Sequence, residues 1–326
     1  MDAAVHDAFG NVNGIDTYAG YGPDYMAHDL SRWLGPAYKG KYPADYLRPQ
    51  PLLRVPIFHL VGGLDKLTRQ EVEETDPADG LPNCLEDWIA RDGVYCLKVK
   101  LRGTDLEWDV DRLLRVHQVG QAGLAAKGIA SLYLTADTNE QCESPEYVIE
   151  LLARVQGASP ECYHHILYIE QPTERDLLAH RHDMRALAQL KPVLVDESLT
   201  DSDSFDLSME LGWSGVALKT CKCQSAAAVL WSKARELGVP FSVQDLTNPS
   251  LALIQSVGMG ARLHTIMGVE ANSRQFFPDS TQNAEKIVHR GIFSLVHGEA
   301  DTSSIRGTGL GYQMEAMKEH GWWAEA

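Results

Sequence analysis

The sequence predicts an α/β fold built from successive strand–helix units, and three observations carry that prediction. Eight short runs rich in Val, Ile, Leu and Tyr recur between residues 54 and 270. Stretches with helical periodicity separate them. The runs are nearly continuous in apolar character rather than alternating, as expected of parallel strands covered on both faces.

The runs are RVPIFHLVG (54–62), YCLKVKL (95–101), SLYLTAD (131–137), ILYIEQP (166–172), PVLVDES (192–198), GVALKTC (215–221), PFSVQDL (240–246) and RLHTIMGVE (262–270). Between the second and third, an amphipathic helix places Val110, Leu113, Leu114 and His117 on one face, with Gly128 as its stop. The next helix opens with Ser144 as N-cap and Pro145 at its first position, and stops at Gly157. A third, QSAAAVLWSKAREL, ends at Gly238. An open doubly wound sheet and a closed barrel both fit this rhythm. Residues 1–50 read as a short helix and a loop-rich lead-in, residues 51–305 as the strand–helix domain, and residues 306–326 as a C-terminal return segment. The acidic run EVEETDPAD within 63–83 reads as a solvated loop.

Composition narrows the function classes. The chain has 326 residues, 44% hydrophobic and 23% charged, which excludes wholesale disorder. With 29 Lys and Arg against 45 Asp and Glu, its net charge of −16 repels phosphate backbones and anionic lipid. Nucleic-acid and membrane partners are therefore not expected. No stretch approaches the roughly 20 apolar residues of a membrane span, and the first residues lack the pattern of a secretory signal. Six cysteines are too sparse for a disulfide scaffold, so reduced thiols and a cytoplasmic location are expected. Cys221 and Cys223 form a lone CxC that reads as buried thiols rather than as a metal pair.

If the strands close into a barrel, chemistry gathers at their C-terminal ends. There the second run carries Lys98 and Lys100, the third Asp137 followed by Asn139, the fourth Glu170, and the fifth Asp196 and Glu197. The sixth carries Lys219, the seventh Asp245 and the eighth Glu270. Three consecutive strands thus deliver carboxylates to one rim. Three converging negative charges require a cation between them, and oxygen ligands without His or Cys favour Mg2+ or Mn2+. Lysines flank the triad on both sides, and an amine among other cations loses its proton more readily and can act as a general base. The joint pattern points to a metal-dependent proton-transfer site.

As an ordered set, YCLKVKL, LTADTNEQ, YIEQP, LVDES and ALKTCK resemble the barrel motifs of the enolase superfamily, in its muconate-lactonizing-enzyme and mandelate-racemase-like branch. The resemblance runs from about residue 50 to GTGLGY near residue 312. It implies a TIM-type (β/α)7β barrel in which Asp137, Glu170 and Asp196 bind Mg2+, which holds a substrate carboxylate. Lys100 and Lys219 would be the acid/base pair, with Lys98 assisting. Asn139, Glu197, Asp245 and Glu270 would contact the substrate or support the residues that do. The implied reaction is abstraction of the proton α to a carboxylate through an enediolate. Lysine on the sixth strand and no histidine on the seventh favour a racemase, epimerase or cycloisomerase acting on an amino-acid derivative or dipeptide over an acid-sugar dehydratase. Relatives commonly assemble as dimers or octamers, so a homo-oligomer is expected. The start of the chain resembles only the last helix of the family's N-terminal capping domain, which implies a truncated cap. A barrel without turnover is the competing expectation, favoured if apolar surface is exposed around residues 1–20. His164 and His165, and Met259, Met267, Trp322 and Trp323, read as structural.

Overall fold

The computed structural model describes residues 1–322. Trp323, expected to pack, lies outside the described residues. All eight apolar runs form parallel strands: β1 Arg54–Val61, β2 Cys96–Lys100, β3 Tyr133–Asp137, β4 Ile166–Glu170, β5 Val193–Val195, β6 Gly215–Lys219, β7 Phe241–Gln244 and β8 Val269–Glu270. Their order runs from β2 through β8 to β1, and β1 also pairs with β2. The eight strands therefore close into a TIM-type barrel. A ninth strand, β9 (Glu299–Asp301), pairs antiparallel with β1 through Val55 and Ala300. The strand interiors are buried on both faces, as the consecutive residues Val193, Leu194 and Val195 of β5 and Val216, Ala217 and Leu218 of β6 show. This two-sided burial is why the runs are apolar throughout.

The chain divides into two compact units, residues 58–216 and residues 1–57 with 217–326. In the first unit the outer helices are α2 (Leu85–Asp92), α3 (Leu106–Ala126), α4 (Pro145–Ala158), α5 (Pro160–His165) and α6 (Ser202–Glu210). The buried face of α3 runs through Asp109, Leu113, Val116, His117 and Leu124, so Val110 and Leu114 sit on its flanks. Asp109 belongs to the buried face because its carboxylate accepts the N–H groups of Arg102 and Gly103 and the hydroxyl of Tyr147. Ser144 holds the N-cap position of α4 without a side-chain cap bond. That helix passes through Gly157 to Ala158, and Ser159 then caps α5 by accepting the N–H of Cys162. His165 meets His117 at 3.0 Å between ring nitrogens, which gives both a packing partner.

In the second unit, α7 (Gln224–Leu237) ends at Gly238 with φ +67, as expected, and α8 spans Leu251–Arg262. The eighth strand is far shorter than the run 262–270. Gly268 has φ +44, which breaks extended backbone just before Val269. A Cβ there would stand 1.9 Å from the carbonyl oxygen of Pro56 in β1, so only glycine allows the approach. Cys221 is exposed and Cys223 half-buried, contrary to the expected burial, because they lie in the turn that leaves β6. The short helix at the start, α1 (Asp2–Asn13), docks on the return segment: the Leu310 N–H donates to the Asp7 carboxylate and the Thr308 hydroxyl to Asn11 Oδ1, and just past the helix Thr17 donates to the Gly309 carbonyl. Val5 and Val12 are 64% and 86% exposed, and Val5, Phe9, Tyr25, Trp33 and Val229 line a groove of about 700 Å3. No helix among the described residues is long and apolar enough to cross a membrane.

Candidate active site

Pleating decides which side chains of β2 meet the neighbouring carboxylates. Lys98 and Lys100 are two residues apart and share one face of the strand. Strand register sets Lys100 against Asp137 and Asp137 against Glu170. The side chains follow: Lys98 Nζ lies 2.6 Å from Glu170 Oε1 and 3.0 Å from Asp137 Oδ2, and Lys100 pairs with the same Asp137 oxygen. Lys98, Asp137, Glu170 and Asp196 are all almost fully buried. Burial alone would push the Asp137 carboxyl up. The ammoniums of Lys98 and Lys100 outweigh it and, with the N–H of Asn139, hold the group well below the usual carboxylate range.

Asn139 contributes through its backbone, with its N–H 2.8 Å from Asp137 Oδ1 and φ at +49. Glu197, next to Asp196, is half-buried. One residue of this unit was not anticipated. Gln171, 0% exposed, accepts the N–H groups of Asp196 and Ser198 on Oε1 and donates through Nε2 to Ser198 Oγ and the Thr173 carbonyl. Its only sequence signal is a glutamine beside Glu170 at the end of an apolar strand.

The donor set suits a hard divalent cation: oxygen only, buried, and carried by adjacent strands. As placed, the Lys98 ammonium occupies the position between Asp137 and Glu170, and no three Asp, Glu, His or Cys side chains among the described residues stand together as metal ligands. Asp137 and Glu170 are thus charge-compensated by lysine.

In the second unit, Lys219 ends β6 and is 8% exposed. Asp245 and Glu270 form a further group at the ends of β7 and β8. The Asp245 N–H donates to the Glu270 carbonyl, and the Asp245 carboxylate accepts the N–H groups of Thr247 and Asn272. Burial and the neighbouring Glu270 charge push the Asp245 carboxyl up to about 7. Asn272 donates its side-chain amide to Glu270 Oε1 at 3.2 Å.

Comparison with known proteins places the chain among relatives. The family model described as enolase C-terminal domain-like matches residues 81–318. No curated protein matches the chain significantly. Among solved structures, the chain is similar to a muconate lactonizing enzyme from Mucobacterium smegmatis, with a TM-score of 0.62 and 15% identity over 95% of this chain and 70% of that one. It is also similar to a dipeptide epimerase from Enterococcus faecalis, with a TM-score of 0.54 and 15% identity over 84% and 64% of the two chains. A dipeptide epimerase from Cytophaga hutchinsonii, complexed with Mg and the dipeptide D-Ala-L-Val, gives 0.54 and 17% over 83% and 59%. The chain therefore spans less than two thirds of the length of both epimerases.

Proposed function

Because the chain belongs to the enolase C-terminal domain-like family, we propose that it is a Mg2+-dependent isomerase that removes the proton α to a substrate carboxylate. The substrate in this reading is an amino-acid derivative or dipeptide, turned over by racemisation, epimerisation or cycloisomerisation. The observation that carries it is the buried array in which Lys98 and Lys100 converge on Asp137 and Glu170. Asp137, Glu170 and Asp196 would hold the cation. Bound there, Mg2+ supplies concentrated positive charge for the substrate carboxylate. Loss of the α-proton builds a second negative charge on that carboxylate, and the Lys98 ammonium offers charge-assisted hydrogen bonds that strengthen as it develops. Lys100, at the partly exposed end of the array, takes the proton on Nζ. Lys219 returns a proton from its own ammonium to the α-carbon, and the two lysines exchange roles for the opposite stereoisomer. Neighbouring muconate lactonizing enzymes and dipeptide epimerases support the isomerase class.

The test is α-proton exchange in D2O with pooled dipeptides, N-acyl amino acids and sugar acids, with Mg2+ and again with EDTA. Metal-dependent deuterium uptake is expected from a dipeptide or amino-acid derivative. No uptake from any pool overturns the reading. A second reading, a barrel that binds without turnover, draws on the exposed apolar side chains of Val5, Phe9 and Val12. It predicts no uptake although Mg2+ binds.

A further inference from the structure

Gln171 bonds to the segment that follows β3 and to β5 and the residues after it, and directly follows Glu170 at the end of β4. Its carbonyl accepts the N–H of Glu140, three residues past Asp137, and its N–H donates to the Leu194 carbonyl, two residues before Asp196. Its side chain accepts the N–H of Asp196 itself at 2.8 Å, and Glu170 precedes it in the chain. A φ of +31 is costly for a residue with a Cβ, and the four side-chain hydrogen bonds offset that cost. A side chain that merely filled space would need none of these bonds.

We infer that Gln171 is a positioning residue that fixes the spacing of Asp137, Glu170 and Asp196 for a divalent cation by tying the ends of their three strands together. The inference rests on the metal-dependent reading proposed above. Groups that orient metal ligands without touching the metal commonly contribute about 10–100-fold to affinity.

The experiment is a Mn2+ titration followed by electron paramagnetic resonance on the full chain, with thermal unfolding measured in parallel. Gln171→Met keeps the volume and removes all four side-chain hydrogen bonds. Gln171→Glu keeps the oxygen that accepts from Asp196 and Ser198, and serves as well if the methionine variant does not fold. Glu170→Gln reports on the ligand set. Ser208→Ala removes a buried hydrogen bond to the Phe205 carbonyl in α6 and controls for general softening. Gln171→Met is expected to weaken Mn2+ binding about 10–100-fold, Gln171→Glu less, and Ser208→Ala not at all. Unchanged affinity in both Gln171 variants, with loss in Glu170→Gln, overturns the positioning role and leaves the metal reading standing. Equal weakening in Ser208→Ala also overturns it. If the unaltered chain binds no Mn2+, the metal reading falls and takes this inference with it.

Discussion

Lys98 places one ammonium against two buried carboxylates. Lys98→Met would leave Asp137 and Glu170 facing each other with less compensation. Removing one partner of a buried pair typically costs about 3–5 kcal/mol. A large fall in Tm is expected, with part of it restored by millimolar Mg2+ as a replacement counter-ion. Asp245 carries the opposite perturbation. Its carboxyl is raised to about 7, so between the ordinary carboxylate value and pH 7 the folded chain holds a proton that the unfolded chain has released. Stability therefore falls as pH rises through that window, and the penalty is complete above it. Asp245→Asn removes the penalty and is expected to raise Tm relative to the unaltered chain at pH 8, with the difference shrinking toward pH 4. The charged residues at the strand ends were legible because each strand end follows directly from its apolar run. Gln171 was not, since no periodicity reveals which side chain satisfies the backbone of a neighbouring strand.

Helices and strands differ in how openly the sequence declares them. Strand cores stood out because two-sided burial makes them apolar throughout, and helix α7 because Gly238 marks its end. Gly238→Ala is expected to cost about 1–2 kcal/mol, the price of a Cβ in left-handed backbone. Thermal unfolding checks this, and Mn2+ affinity should not change. Strand β8 misled because an apolar stretch and a buried helix end look alike in composition. Helix α8 continues to Arg262, and Gly268 leaves only two residues of extended chain. The face of α3 shifted for another reason: Asp109 is buried to satisfy backbone donors, which a hydrophobic pattern does not register.

For the whole molecule, the metal reading makes stability a function of cation concentration. A ligand that binds only the native state stabilises by about RT ln(1 + [L]/Kd). Mg2+ is therefore expected to raise Tm in proportion to the logarithm of its concentration above Kd, and EDTA to reverse the rise. Glu170→Gln should abolish the shift; a shift that survives in that variant would move the cation elsewhere. Barrel closure was only one of two architectures open to the strand–helix rhythm, because pairing of the first and last strands leaves no mark on local sequence. The resemblance of the ordered strand-end motifs to those of a barrel family pointed to closure, and the pairing of β1 with both β2 and β8 shows it.

The division into two units also imposes an order in time. Residues 58–216 are one uninterrupted stretch, whereas the other unit joins residues 1–57 to residues 217–326. The initial helix meets Thr308 and Leu310 only after nearly all of these residues have been made. At about 5–20 residues per second of synthesis, residues 1–57 wait roughly ten to thirty seconds for residue 217. During that wait the first unit is free to fold on the ribosome, while the opening segment has contacts of its own, such as Phe9 with Tyr25, but lacks those that residues 217–326 supply. The nascent chain therefore passes through a stage in which residues 1–57 still lack the partners that residues 217–326 supply, and a chaperone acting then would find its target in them rather than in the carboxylate-bearing strands.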